Sequence, residues 1–282
     1  MINNKTVLPK KKPTPAKVRK FREMIYGYYR EHGRTMPWRL TNNPYHILVS
    51  EVMLQQTQVQ RVLEKYESFL AVFPDFPSLA CAPLSELLAT WQGLGYNRRA
   101  IALSRISRIV LEEFNGVLPS SVDTLMTLPG IGHATASAIA AFAFHTPVVF
   151  IETNIRRVYI HCFFDDRDNV RDDEILPLVE TTLDASNPRE WYYGVMDYGV
   201  MLKKNHENPN RRSAHYQKQS PFEGSNRQMR GMILRTLTRQ PHVTEQEIVR
   251  QLQTDKALLR KNLLQLQKEG FIKLLRGKIT IA

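Results

Sequence analysis

The chain has 282 residues, 39 Lys and Arg against 27 Asp and Glu, a formal net charge of +12 and 43% hydrophobic residues. That length supports two or three compact units, and the composition excludes a chain that stays unfolded. The basic excess favours a polyanionic partner, nucleic acid before a membrane surface, and no apolar run approaches the roughly 20 residues of a membrane helix.

The polar, lysine-rich start does not read as a signal peptide, so the expected location is the cytoplasm, in association with the nucleoid. Residues 1–17, with Lys10, Lys11 and Lys12 among prolines, read as a flexible basic tail. Residues 18–202 are helical in period almost throughout, with helices expected over 18–31, 44–56, 58–72, 83–91, 96–113, 121–127, 133–144, 154–163, 172–184 and 188–202. The polar stretch 203–226 reads as a connector. Residues 227–282 show three helical segments, then two short strands around Arg276-Gly277, the pattern of a small winged-helix-like domain. The expected fold class is all-α. Cys81 and Cys162 lie in apolar periodic segments and read as buried free thiols, unable to build a disulfide framework or a cysteine-ligated metal site.

Within the 44–56 helix, Asn43 is the expected cap and Pro44 suits the first turn. Glu51 then sits too deep to serve the helix N-terminus, with Ile47, Leu48, Leu54 and Gln55 as its surface neighbours. On this mostly apolar face a carboxyl group holds its proton more tightly and can act as a general acid. A structural ion pair with Arg or Lys is the other reading of the same pattern.

In Leu128-Pro129-Gly130-Ile131-Gly132-His133, two glycines join a short helix to an Ala-rich one. Such a turn lets a phosphate approach the backbone and meet the amides of the second helix, the form of a helix-hairpin-helix DNA-binding element; a plain turn is the alternative. Further on, Glu152-Thr153-Asn154 opens another helix. Thr153 or Asn154 suits its cap, and a carboxylate held at its N-terminus can face a cation formed during reaction.

These motifs, with Met36-Pro37-Trp38-Arg39, Ser50 to Val59, Trp91 to Tyr96 and Asp197-Tyr198-Gly199, closely resemble the helix-hairpin-helix DNA glycosylases, and within them the MutY-type adenine glycosylases, over about Phe21 to Met201. The resemblance implies a general acid at Glu51, an electrostatic stabiliser or nucleophile at Glu152 and a supporting Asn154. It also implies mismatch-probing side chains at Gln55 and Gln56, an intercalating Tyr96, and a phosphate clamp formed by Leu128, Gly130, Gly132 and His133, with an alkali cation on the hairpin backbone.

Four departures accompany it. Lys203, Asn210, Ser213 and Gln219 stand where relatives carry the four cysteines of an iron–sulfur cluster, so no cofactor is expected. Arg211 and Arg212 remain in that loop as candidate phosphate contacts. Glu152 replaces an aspartate and is expected to cap its helix less well. Ala134 replaces the lysine of lyase-competent relatives, which implies a glycosylase without lyase activity. The usual domain that reads 8-oxoguanine is replaced by residues 227–282.

The expectation is a monomeric enzyme of base excision repair that removes adenine opposite guanine or 8-oxoguanine from double-stranded DNA. Removal of thymine, uracil or another altered base is the second enzyme reading. A non-catalytic lesion-binding protein is the alternative of another class.

Overall fold

A computed structural model describes residues 13–218 and 221–282. Most of the tail expected over 1–17 lies outside these residues, and its last part is helical, because α1 runs Pro15–His32 from a Thr14 cap. In chain order there follow α2 (Pro44–Leu54), α3 (Val59–Val72), α4 (Phe76–Cys81), α5 (Leu84–Trp91), α6 (Arg98–Glu113), α7 (Val122–Thr127) and α8 (His133–Phe144). Then come α9 (Thr153–Phe163), α10 (Asp172–Thr182), α11 (Pro188–Asn205), α12 (Asn226–Arg239), α13 (Glu245–Leu252) and α14 (Lys256–Lys268). Two strands close the chain, β1 (Ile272–Leu275) and β2 (Lys278–Ile281). The fold is all-α apart from this antiparallel hairpin. Its two-residue turn, Arg276-Gly277, has φ of 50° and 78°, the doubly left-handed geometry that matches strand twist.

The chain divides into two compact units. The first comprises residues 1–47, 120–126 and 132–218. Its core is aromatic: Phe21 lies edge-on to Tyr159, Phe163 and Trp191 at 5.5, 5.1 and 5.8 Å between ring centres. Beside it Asp197, 2% exposed, accepts from the Arg34 amide at 2.8 Å and from both terminal nitrogens of Arg39 at 2.8 Å each. This buried ion cluster ties the loop after α1 to α11.

The second unit comprises residues 48–119, 127–131 and 219–282. Val62, Tyr66, Phe69 and Phe73 form one stripe of α3 and its end, packed with Trp91 and with Leu103, Ile106 and Val110 of α6, all buried. A further apolar cluster in this unit takes Ile233, Leu234 and Leu237 of α12, Leu259 and Leu266 of α14, and Phe271 and Ile279 around the hairpin. Leu88 belongs to the same cluster, with Leu84 and Ile101 packed against it. The terminal helices thus share a core with α5 and α6. Gln92 Nε2 donates to Thr238 Oγ1 at 2.6 Å across that packing. Arg98 and Arg230 both grip Glu269, with closest approaches of 2.5 Å, and these two guanidiniums hold its carboxyl down to about 2.

Cys81 departs from the expectation of a buried thiol: it ends the short α4 and is exposed. Burial pushes the half-buried Cys162 thiol up to about 12, so it behaves as an inert apolar group.

Candidate active site

Asn43 caps α2 as its sequence suggests, accepting from the Tyr45 amide at 2.9 Å. Leu48, Val49, Ser50, Val52 and Met53 are buried, whereas Glu51 keeps part of its side chain at the surface. The helix stops at Leu54, two residues earlier than periodicity predicts, and Gln56 turns into the left-handed region at φ 53°. Tyr96 does the same at φ 48°. Neither residue is a glycine, and a left-handed conformation at such positions costs on the order of 1–3 kcal/mol each.

The neighbour that enforces both turns is Arg99, which the sequence reading missed. Its Nη1 donates to the carbonyls of Val52, Met53 and Gln55 at 3.0, 2.7 and 2.7 Å. Its Nη2 donates to Leu94 O, Gly95 O and Thr57 Oγ1 at 3.1, 2.9 and 2.9 Å. One guanidinium therefore caps the C-terminus of α2 and fixes the loop that carries Tyr96. Burial pulls it down to about 10, still charged at neutral pH. The signal was available: Arg99 shares the helical stripe of Leu103, Ile106 and Val110.

The Gln55–Gln56 tip also meets the hairpin, Gln55 Nε2 donating to Gly130 O at 3.2 Å. Gly130 has φ 79°, and a Cβ there would come within 3.2 Å of the Ala102 Cβ, so both backbone and space favour glycine. Gly132 differs. Nothing lies within 4 Å of its hypothetical Cβ, and it heads α8 without a side-chain cap. An uncapped helix start with open space before it is the arrangement in which backbone amides hold an anion. Leu128 and Ile131 are buried, while Gly130, Gly132, His133 and Ala134 are exposed. The carbonyls of Leu128 and Gly130 each accept one hydrogen bond, from Ile131 N and Gln55 Nε2, and each keeps a lone pair of the kind an alkali cation uses.

In the first unit, Glu152 is itself the cap of α9, accepting from the amides of Asn154 and Ile155 at 2.6 and 2.8 Å. The extra methylene of glutamate is absorbed, contrary to the expectation of a poor cap. Burial pushes its carboxyl above the ordinary range, while those two amides, Arg157 and Arg156 pull it back in part. Asn154 Nδ2 donates to Glu152 Oε2 at 3.2 Å, and its Oδ1 accepts from Arg157 Nη1 at 2.6 Å. Arg157 also donates to Gly199 O at 2.8 Å and to Asn208 Oδ1 at 3.0 Å. A relay of side chains therefore runs from the 206–216 loop through Arg157 and Asn154 to Glu152.

A Cβ on Gly199 would lie 2.6 Å from Asn154 O and 2.9 Å from Asn154 Cβ. Gly199→Ala is therefore expected to destabilise by about 1–3 kcal/mol through overpacking, read as a lowered urea midpoint; an unchanged midpoint would show that α9 and α11 separate freely there.

The loop expected as a polar connector is built and partly buried. Asn210 and Ser213 are buried, Asn210 Nδ2 donates to Thr153 O at 2.8 Å, and Val170 bridges Ser213. An iron–sulfur cluster does not fit here: Lys203, Asn210 and Ser213 carry no thiolate, Asn208 and Asn210 spend their side chains on α9, and both cysteines lie elsewhere. Gln219 falls outside the described residues. Arg211 is exposed and paired with Glu207 at 2.8 Å, whereas Arg212 turns inward to Ile160 O at 3.4 Å. No described helix is long and apolar enough to cross a membrane.

Residues 49–176 match the family model described as HhH-GPD superfamily base excision DNA repair protein. The chain is 34% identical over 184 residues to the adenine DNA glycosylase of Buchnera aphidicola subsp. Baizongia pistaciae, covering 64% of this chain and 52% of the relative. It is 42% identical over 135 residues to that of Mycolicibacterium smegmatis, covering 48% and 46%, and 33% identical over 199 residues to that of Homo sapiens, covering 66% and 36%. The chain thus spans about half or less of the length of these relatives. Among solved structures, a thermostable thymine-DNA glycosylase aligns with a TM-score of 0.62 and 25% identity over 69% of this chain and 91% of that one. A trapped endonuclease III–DNA covalent intermediate shares the fold, with a TM-score of 0.53 and 22% identity over 74% and 91%. With the hairpin, α2 and the α9 cap in place, the chain belongs to the HhH-GPD superfamily of base excision DNA repair proteins, and its curated relatives there are adenine DNA glycosylases.

Proposed function

We propose that this chain is a monofunctional DNA N-glycosylase that hydrolyses the bond between adenine and deoxyribose in double-stranded DNA where adenine faces guanine or 8-oxoguanine. The observation that carries the reading is α2. A single helix delivers Glu51 and, one turn later, a strained Gln55–Gln56 tip that Arg99 and Gly130 hold in place.

The chemistry follows from those groups. The target base must leave the stack, at a cost of a few kcal/mol, and Gln55, Gln56 and Tyr96 are suited to fill the gap. Glu51 gives its proton to the departing base as the C1′–N bond breaks, so the base leaves neutral. The sugar is left as an oxocarbenium-like cation, which Glu152 stabilises as a carboxylate held in register by Asn154. Water adds to C1′, its proton returns to Glu51, and an abasic site remains. Ala134 offers no amine for a Schiff base, so the strand stays intact until alkali is added. The hairpin amides at the start of α8 hold a phosphate, and Arg211 adds a surface contact. The protein acts as a monomer inside the cell, close to its DNA.

The second reading, thymine opposite guanine, is favoured by the thymine-DNA glycosylase among its structural neighbours. End-labelled duplexes bearing A·G, A·8-oxoG, T·G and U·G, treated with alkali after incubation, separate the two. Breaks confined to the adenine strands are expected. Breaks at thymine or uracil instead establish the second reading, and tight binding without a break in any duplex makes the protein a lesion binder.

A further inference from the structure

The terminal helices, anchored to α5 and α6 through a shared core and through Glu269, help enclose an open polar cleft of about 480 Å³ in the second unit. One wall carries Gln55, Gln56 and Tyr96; the other carries Asn226 and Arg227 of α12 and Gln265 of α14. Arg227 Nη1 donates to the Tyr96 hydroxyl at 2.5 Å, and its guanidinium carbon lies 5.6 Å from the centre of that ring. The volume falls in the roughly 300–1,000 Å³ range of small-ligand sites. Four guanidiniums line the cleft, and no carboxylate is among the described residues lining it. Two of the four are neutralised from outside by Glu269, and Arg99 is spent on carbonyls. Arg227 is thereby the guanidinium aimed beside the tyrosine face.

Guanidinium and amide donors next to an aromatic ring match one chemistry closely. A guanine-type base offers O6 and N7 together to arginine, and its face stacks on tyrosine. We propose that this cleft receives the guanine-type nucleotide of the strand opposite the excised base, so that α12 and α14 supply discrimination of the opposite base. The inference rests on the reading of Gln55, Gln56 and Tyr96 as residues that enter the duplex.

The test compares duplexes in which adenine faces guanine or faces an abasic tetrahydrofuran spacer, bound by the Glu51→Gln protein, so that affinity is read without turnover. Adding Arg227→Ala to that protein is expected to reduce the preference for guanine over the spacer about tenfold, within the roughly 5- to 150-fold reach of a bidentate base contact. Because Arg227 also touches Tyr96, Gln265→Ala serves as the second variant: it leaves Tyr96 alone and is expected to lower the same ratio. An unchanged ratio in both variants overturns the proposal. Equal weakening on both duplexes also overturns it, since that is the behaviour of a phosphate contact. Base release by the unsubstituted chain is measured in parallel. Its failure on every mismatch removes the glycosylase reading but leaves the binding ratio intact as a test of the cleft.

Discussion

Glu51→Gln is expected to lower base release by about 10²- to 10⁴-fold, the contribution of a positioned general acid, while affinity for the mismatched duplex stays within a few-fold. Gln keeps the length and hydrogen-bonding reach of Glu and removes only the transferable proton, so helix α2 loses no packing. The residues that frame Glu51, Leu48 and Val52 among them, are buried, whereas Glu51 itself remains accessible, as a group that meets substrate must. Single-turnover release on an A·8-oxoG duplex, followed beside a binding titration, is the measurement. A variant that releases adenine at the original rate returns Glu51 to the rank of a structural carboxylate and leaves the enzyme reading without its acid.

What was legible in the sequence is what short-range physics dictates. The Asn43 cap, Pro44 and the apolar period placed α2, and alternation around Arg276-Gly277 placed the terminal hairpin. Helix α4 escaped because it spans six residues and its start signal is a reciprocal Asp75–Ser78 cap, without the Glu or Gln that usually marks such a box. The left-handed turns at Gln56 and Tyr96 were invisible for a different reason. Neither residue prefers that conformation; Arg99 imposes it through carbonyls up to 47 positions away in the chain. The same holds for Arg157, which reads as one more positive charge on a helix and proves to be the buried pivot between Asn208 and Asn154. The 203–226 stretch read as a loop because its composition is polar, and it is ordered by what composition hides, the pairing of Asn208 and Asn210 with residues of α9. In each case the candidate chemical groups were legible and the arginines that hold them were not, because a guanidinium acts on distant backbone and leaves no periodic trace.

Asp197→Asn tests how much such an arrangement contributes to the fold. Its carboxylate faces Arg39 and Arg34 at 2.8 and 2.5 Å from a side chain that is 1% exposed. Burial alone would raise the Asp197 carboxyl, but the hydrogen bond and charge of Arg39, with the Arg34 amide and side chain, outweigh it and hold the group below the ordinary carboxylate range. Removing one partner of a buried pair leaves the other charges uncompensated, at a typical cost of about 3–5 kcal/mol. The sign of the pH dependence follows from the depressed folded value. The stabilisation is complete above the unfolded value, near 3.9, and is lost as pH falls through the folded one. The gap between wild type and Asp197→Asn in urea denaturation is therefore expected to be full at pH 7 and to shrink below about pH 4, because Asn has no proton to take up. A gap that stays constant down to pH 3 would show that the loss comes from packing around α11 and not from the charge that Asp197 places between two arginines.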